Sequence, residues 1–308
     1  MTNKILIIGG TGFIGYHFAK KCLKKKFNIT IISKNNPKKN RILKKVKYLK
    51  CDISNKKKLY KCLSKDYDFV FNFGGYVNHT EKLKTYNSHY FGCKNIADYF
   101  LGTSIKSFIQ IGSSVEYGDI KSPQREEDIN FKKNLKSTYG KAKLKASKYL
   151  LQLHKKYNFP STILRLYLVY GPKQDTNRLI PITIKSCLLN KNFECSTGVQ
   201  KRDFLYIDDL IAALFKTIGN KNIAGKSINL GFGKSKKVKS VIKLIVGKIK
   251  TGRPLYGRVK LRKDEINTLY PEIKLAKKLL NWKPKISLKK GLNKTINDFK
   301  QNQKIQIK

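Results

Sequence analysis

A tyrosine with a lysine four residues on can do acid–base work. A free phenol titrates at about 10; an ammonium on the same helix face favours its phenolate, which can then take a proton from a hydroxyl. In these 308 residues the spacing occurs at Tyr16/Lys20, Tyr90/Lys94, Tyr117/Lys121, Tyr139/Lys143, Tyr256/Lys260 and Tyr270/Lys274. With 17 Tyr and 67 Lys plus Arg, spacing alone singles out none of them. Position does. Tyr139 stands near the start of "STYGKAKLKASKYLLQLHKKY", whose Ala142, Ala146, Tyr149, Leu150 and Leu153 make one apolar stripe behind a Ser137 or Thr138 cap. About 25 residues earlier, "SFIQIGSSVEYG" reads as a strand whose end exposes Ser113 and Ser114. Ser113, with Ser114 as substitute, would hydrogen-bond the same reacting oxygen as Tyr139, and Lys143 would also hold a cofactor ribose. The other pairs fall within helices, in the serine turn itself or in the basic C-terminal region.

What must position these residues is announced at the start of the chain. "KILIIGGTGFIGYHFAKKCLKKKFNITIISKN" runs as strand, glycine turn, helix and second strand, the length of a parallel crossover. Gly9, Gly12 and Gly15, with Thr11, Phe13 and Ile14 between them, sit after a strand and at the mouth of a helix. There, backbone N–H groups and the helix dipole cradle a pyrophosphate. The alternative is a glycine turn kept only for packing. An Asp or Glu ending the second strand would grip the adenosine ribose. Here the position reads "IISKNN", and Asp52 is the first acid in the chain. Ser33 and Lys34 would accept a 2′-phosphate, which points to NADP(H) over NAD(H), unless Lys34 is one more solvated lysine.

Further apolar strands at 68–75, 107–114 and 161–171, separated by helical stretches, predict an α/β fold, a doubly wound parallel sheet covered on both faces. Residues 1–171 are expected to form the dinucleotide-binding domain, joined by strands near 203–207 and 227–231; residues 172–308 are mainly a smaller substrate-binding lobe. The six cysteines show no Cys-x-x-Cys spacing, and the four His form no His-Glu-x-x-His pattern, so buried thiols in a reducing cytoplasm are expected and no metal site. "ILIIGG" is too short to span a bilayer and lacks the flanks of a signal peptide. The net charge of +48 invites nucleic acid. Yet only eight of the basic residues are Arg, and the lysines are spread over every element, so compositional bias is the expected cause and any such binding should vanish at moderate salt.

Taken together, "GGTGFIG", "CDIS", "FNFGG", "GSSVEYG", "YGKAK", "LRLYLVYGP", "QKRDFLYIDD", "INLGFG" and "LNWKP" resemble, in order and over nearly the whole chain, the extended short-chain dehydrogenases/reductases of nucleotide sugars, the epimerase/dehydratase group. The resemblance implies a Rossmann domain, a nucleotide-diphosphate sugar as substrate and a homodimer. It places Asp52 and Ile53 beside the adenine, Phe73, Gly74 and Gly75 along the cofactor, Ser114 and Glu116 at the substrate, and Arg202 and Arg262 on the diphosphate. Departures matter. The acidic pair usual in the dehydratases' serine turn is Ser114 and Val115, with Glu116 displaced by one, which removes the proton donor for elimination. Leu168 replaces a substrate-contacting asparagine, and Asn87 and His89 disturb a helix-facing Asn position. Reduction of a 4-keto sugar nucleotide is therefore expected first, epimerisation with tightly held NAD+ second, and a non-catalytic dinucleotide- or RNA-binding protein third.

Overall fold

The computed structural model describes residues 3–261 and 265–306. Its strands are β1 (Lys4–Ile8), β2 (Asn28–Ser33), β3 (Lys47–Lys50), β4 (Phe69–Asn72), β5 (Ser107–Ser113), β6 (Ser161–Leu166), β7 (Leu168–Tyr170), β8 (Asn192–Cys195), β9 (Lys201–Tyr206), β10 (Lys226–Leu230), β11 (Ser235–Lys237), β12 (Arg253–Tyr256) and β13 (Thr268–Leu269). Its helices are α1 (Phe13–Lys24), α2 (Lys56–Cys62), α3 (Lys82–Tyr86), α4 (Gly92–Phe100), α5 (Thr138–Tyr157), α6 (Leu179–Leu188), α7 (Ile207–Phe215), α8 (Val238–Ile249), α9 (Lys274–Leu280) and α10 (Leu288–Gln306).

Seven strands form one sheet in the order β10-β6-β5-β4-β1-β2-β3, every neighbour parallel. Alternation within the strands explains why they read as unbroken apolar runs. Ile5, Ile7, Ile29, Ile31, Phe69 and Phe71 face one core with α1, while Leu6, Ile8, Ile32, Val70 and Phe108 face the other with α2, α4 and α5. The winding reverses between β1 and β4, so the crevice past their carboxyl ends is where such a sheet receives a ligand.

The second sheet departs from expectation. Residues 226–230 do join the main sheet, beside β6, but residues 201–206 do not. Past β6 the chain leaves the main sheet as β7, which pairs with the far end of β9, while β11 and β13 take its near end. With its hydrogen-bonding edges occupied there, β9 centres a separate four-stranded sheet, and β8 pairs with β12. Arg41, which is 4% exposed, ties the loop after β2 to the segment after β7. Its guanidinium donates to the Lys173 carbonyl and to Asp175, while Lys38 also reaches Asp175 and the His17 Nε2 reaches the Pro172 carbonyl.

No helix among the described residues is long and apolar enough to cross a membrane. Nor do the described residues gather three His, Cys, Asp or Glu that could hold a metal ion. All six cysteines are free thiols.

Candidate active site

The turn after β1 is shaped by what it cannot carry. Gly9 has φ +74°, and a Cβ there would lie 2.9 Å from the Gly74 nitrogen. At Gly15 a Cβ would meet the Gly9 oxygen and the Gly10 Cα, so the first turn of α1 packs directly on the strand end. Gly12 caps α1 with no side-chain hydrogen bond, and the first turn holds no acid, which leaves the helix end free for an anion. Thr11, Phe13 and Ile14 are half-buried around it. Gly10, whose Cβ would strike Ile31, belongs to the same cradle and was not singled out from the sequence.

At the adenosine rim the Thr11 N–H lies 3.4 Å from the Ser33 hydroxyl, and Lys34 is not a free cation: its Nζ meets Asp52 Oδ2 at 2.7 Å. Burial alone would raise the Asp52 carboxyl. Donation from Lys34 and from the Ser54 hydroxyl and N–H instead holds it below the usual carboxylate range. An acid is therefore present at this rim after all, supplied by the end of β3 instead of β2. Ile53 is buried, its side chain filling the space above Gly74 and Gly92.

The Ser113 side chain, at the end of β5, is near enough to the Tyr139 phenol of α5 to favour its phenolate. The Lys143 Nζ stands 5.9 Å from the Tyr139 ring centroid and donates to the Ile111 carbonyl at 2.6 Å. The serine, phenol and ammonium thus lie together where the end of β5 meets α5. The electrostatics run against the simple expectation: burial pushes Tyr139 up to about 12 despite Ser113 and Arg178, and pushes Lys143 down to about 8. Desolvation of the phenolate outweighs the charges within reach, because the Lys143 ammonium is turned to a backbone carbonyl. Two histidines complete the wall, His79, which the sequence reading passed over, and His89, which it noted only as disturbing a helix-facing Asn position. The His79 ring stacks on Tyr139 at 4.0 Å and 12°, and His89 meets it edge-on at 4.8 Å. His89 lies in a π turn, Asn87–Phe91, joining α3 to α4.

The substrate residues fare differently. Glu116, expected at the substrate, is wholly buried. Its carboxylate accepts from the Ser113 N–H at 2.7 Å, the Ser147 hydroxyl at 2.8 Å and Arg165 Nε at 2.9 Å. Its oxygens are occupied beneath the serine turn, so it supports Ser113 instead of facing a ligand. Ser114 is 5% exposed, beside Ser113 in the same turn. Arg202 is 9% exposed, donates to the Lys201 carbonyl and pairs with Glu265. Arg262 lies outside the described residues. Phe73 leans into the core against Phe18 and Phe71, leaving Gly74 and Gly75 as the floor between cradle and phenol. A floor without side chains, an uncapped helix end and a phenol at the far side together fit a nicotinamide dinucleotide.

Comparison with known proteins agrees. Residues 5–231 match the model of the NAD dependent epimerase/dehydratase family. A putative UDP-glucose 4-epimerase of Methanocaldococcus jannaschii is 30% identical over 310 aligned residues, 97% of this chain and 99% of that protein. The UDP-glucose 4-epimerase structure of Thermotoga maritima shares the fold with a TM-score of 0.90 at 24% identity, over 97% of this chain and 99% of that one. The UDP-glucuronic acid 4-epimerase of Bacillus cereus, in complex with UDP-glucuronic acid and NAD, gives 0.85 at 25% identity with the same coverage. With the glycine cradle, the parallel sheet and the serine–tyrosine–lysine pocket in place, this chain belongs to the NAD-dependent epimerase/dehydratase family, among the extended short-chain dehydrogenases/reductases of nucleotide sugars.

Proposed function

We propose that this protein inverts a secondary carbinol of a nucleoside-diphosphate sugar, at C4 of the hexose, using NAD. One observation carries the reading: the Tyr139 phenol, near Ser113, stands beside Lys143 at the end of the glycine floor that a dinucleotide would cover. The names of the full-length relatives, UDP-sugar 4-epimerases, support the substrate class.

The cofactor, when bound, takes a hydride from the sugar carbon and gives it back, and its oxidised ring is positively charged. Tyr139 moves the matching proton: its oxygen accepts the proton of the sugar hydroxyl as the carbon is oxidised, then returns it to the opposite face's alkoxide on reduction. Ser113 holds the sugar oxygen in place through both passages. Lys143, turned from the Ile111 carbonyl toward the ligand, lowers the cost of the phenolate. Arg202 is the forked donor for the diphosphate, exchanging Glu265 for a phosphate oxygen. We place the enzyme in the cytoplasm, in keeping with its free thiols, and read it as a homodimer, in keeping with the exposed Leu83 and Phe91 on the outer side of α3 and the π turn.

A second reading, reduction of a 4-keto sugar nucleotide by NADPH, is favoured by Ser33 and Lys34 standing where an acid usually ends β2. It ranks second because the Asp52 carboxylate already answers Lys34, leaving less positive charge for a 2′-phosphate.

Tyr139→Phe tests the shared chemistry. Turnover of a UDP-hexose should fall by about 10²–10⁴-fold, while dinucleotide affinity holds within about twofold, well under the loss of one hydrogen bond to a charged group. Wild-type turnover by the variant would end the proposal. Native mass of the purified protein separates the readings: retained NAD supports epimerisation, an empty site reduction.

A further inference from the structure

Two of the six thiols are neighbours. Cys51 directly follows β3 and is 6% exposed, while Cys62 closes α2 and is half-buried. The turn between them folds α2 back along the strand. Asn55 caps the helix and its N–H donates to the Asp52 carbonyl, while Leu59 and Leu63 sink into the core that holds Cys51 and against which Cys62 packs. The Cys62 thiol is near enough to Cys51 to hydrogen-bond it. Burial first, and that thiol next, push Cys51 up to about 12, while Lys58 pulls it back.

The pair is unequal in a way that suits reversible oxidation. Cys22, Cys93, Cys187 and Cys195 are buried like Cys51, and Cys62 alone of the six is partly open to solvent. One sulfur that meets an oxidant at the surface, with a second behind it to resolve the product, is the arrangement of a redox-responsive pair. In the reducing compartment proposed above, such a disulfide is transient and regulatory.

Cys51 also belongs to the adenosine rim. Its N–H donates to the Ser33 carbonyl at 3.0 Å, and its thiol lies 3.8 Å from the Asp52 carbonyl. Ser33 and Asp52 are the residues that meet Thr11 and Lys34 there. Joining the sulfurs draws them closer than two thiols can lie and takes the Cys51 proton from the Asp52 carbonyl, so the turn that presents Asp52 must shift.

We propose that Cys51 and Cys62 form a modification site, a thiol pair that hydrogen peroxide converts to an intrachain disulfide and whose oxidation weakens binding of the adenosine end of the dinucleotide. The Cys62 sulfur, as thiolate, attacks one peroxide oxygen: the S–O bond forms, the O–O bond breaks, and the other oxygen leaves as hydroxide, which takes up the Cys62 proton as water. The Cys51 sulfur then attacks the Cys62 sulfur: the S–S bond forms, the S–O bond breaks, and the hydroxyl departs as water with the Cys51 proton. Two thiols give up two electrons, and one peroxide becomes two waters. The effect on binding rests on the dinucleotide reading above; the disulfide does not.

Trypsin cuts between the two cysteines at Lys56, Lys57, Lys58 and Lys61, so only a disulfide would hold peptides 51–56 and 62–65 together. After peroxide treatment and alkylation of the remaining thiols in denaturant, mass spectrometry should find these two peptides joined and the other four cysteines alkylated, and dithiothreitol should part them. Calorimetric titration of nucleotide-free protein with ADP should show an affinity about three- to tenfold lower after oxidation, the loss of about one hydrogen bond at the rim, and its recovery on reduction. Cys62→Ser should bind ADP as the reduced wild type does, with or without peroxide. Separate peptides, or either sulfur carried to the sulfinic acid instead, would overturn the pair. Joined peptides with unchanged ADP affinity would overturn the switch. Reduced wild-type protein that binds no ADP would instead reject the dinucleotide reading, and the effect on binding with it, while joined peptides would still establish the disulfide.

Discussion

Tyr139 and Lys143 bear opposite costs of the same burial. Removing water disfavours whichever form is charged, so the phenol rises to about 12 and the amine falls to about 8. Lys143 titrates near 10.4 in the unfolded chain. Its folded value is depressed, so the penalty for a charged amine is fully present below about pH 8 and fades as pH rises toward 10.4. Lys143→Met should therefore abolish turnover yet raise stability at pH 7. The gain is about 1–2 kcal/mol after allowing for the lost bond to the Ile111 carbonyl. Urea unfolding of variant and wild type at pH 7 and pH 9.5 would show the advantage shrinking; an equal difference at both would mean the amine is not desolvated. In the sequence, Tyr139, Lys143 and Ser113 were legible because helix register and strand order bring them to one edge. His79 was not, and His89 showed only as a departure at a helix-facing position, since ring contacts between residues far apart in the chain leave no periodic trace. The sign of the phenol's shift was equally hidden, because the sequence shows a neighbouring ammonium but not the carbonyl it turns to.

Among the elements, the join of β5, β6 and α5 is made by charge inside the core. Arg165 on β6 has no exposed surface, and its Nε and Nη1 donate to Glu116 and the Tyr117 hydroxyl. Gly112 is needed beneath, since a Cβ there would come within 2.6 Å of the Glu116 carboxylate. Removing one partner of such a pair strands the other. Glu116→Ala should cost about 3–5 kcal/mol and lower kcat by loosening Ser113, whereas Glu116→Gln, which keeps the acceptor, should cost less. Denaturant midpoints measure the first and steady-state rates the second; a loss below about 1 kcal/mol for the alanine variant would return the pair to the ordinary range of surface ion pairs. At this scale the parallel strands were readable, as apolar runs buried on both faces must be. The place of β9 was not: its partners β7, β11 and β13 are three, three and two residues long, too short for any alternation to register. The displaced acid of the serine turn was visible as a departure, but its burial against a residue 49 positions away was not.

For the molecule as a whole, 67 basic against 19 acidic side chains set a positive field on every side. Such a field draws any polyanion without selecting one, and counterion release makes the attraction steep in salt. Fluorescence anisotropy of a labelled RNA oligomer should show binding at low salt that is lost by about 0.2 M and does not discriminate sequence. Tight binding that survives higher salt would point to a dedicated nucleic-acid surface and away from composition. Within that field the first turn of α1, uncapped by any side chain and without an acid, offers its N–H groups to an anion. Arg41 bears on how the far ends of the chain are held. Bound at once to the Lys173 carbonyl and Asp175, it ties the loop after β2, on the adenosine side, to the segment after β7. That tie is one of several: α1 also packs on α7, and a single apolar core runs from β1 through α7 and α8 to Trp282, so a substitution on either side of the cleft is felt on the other.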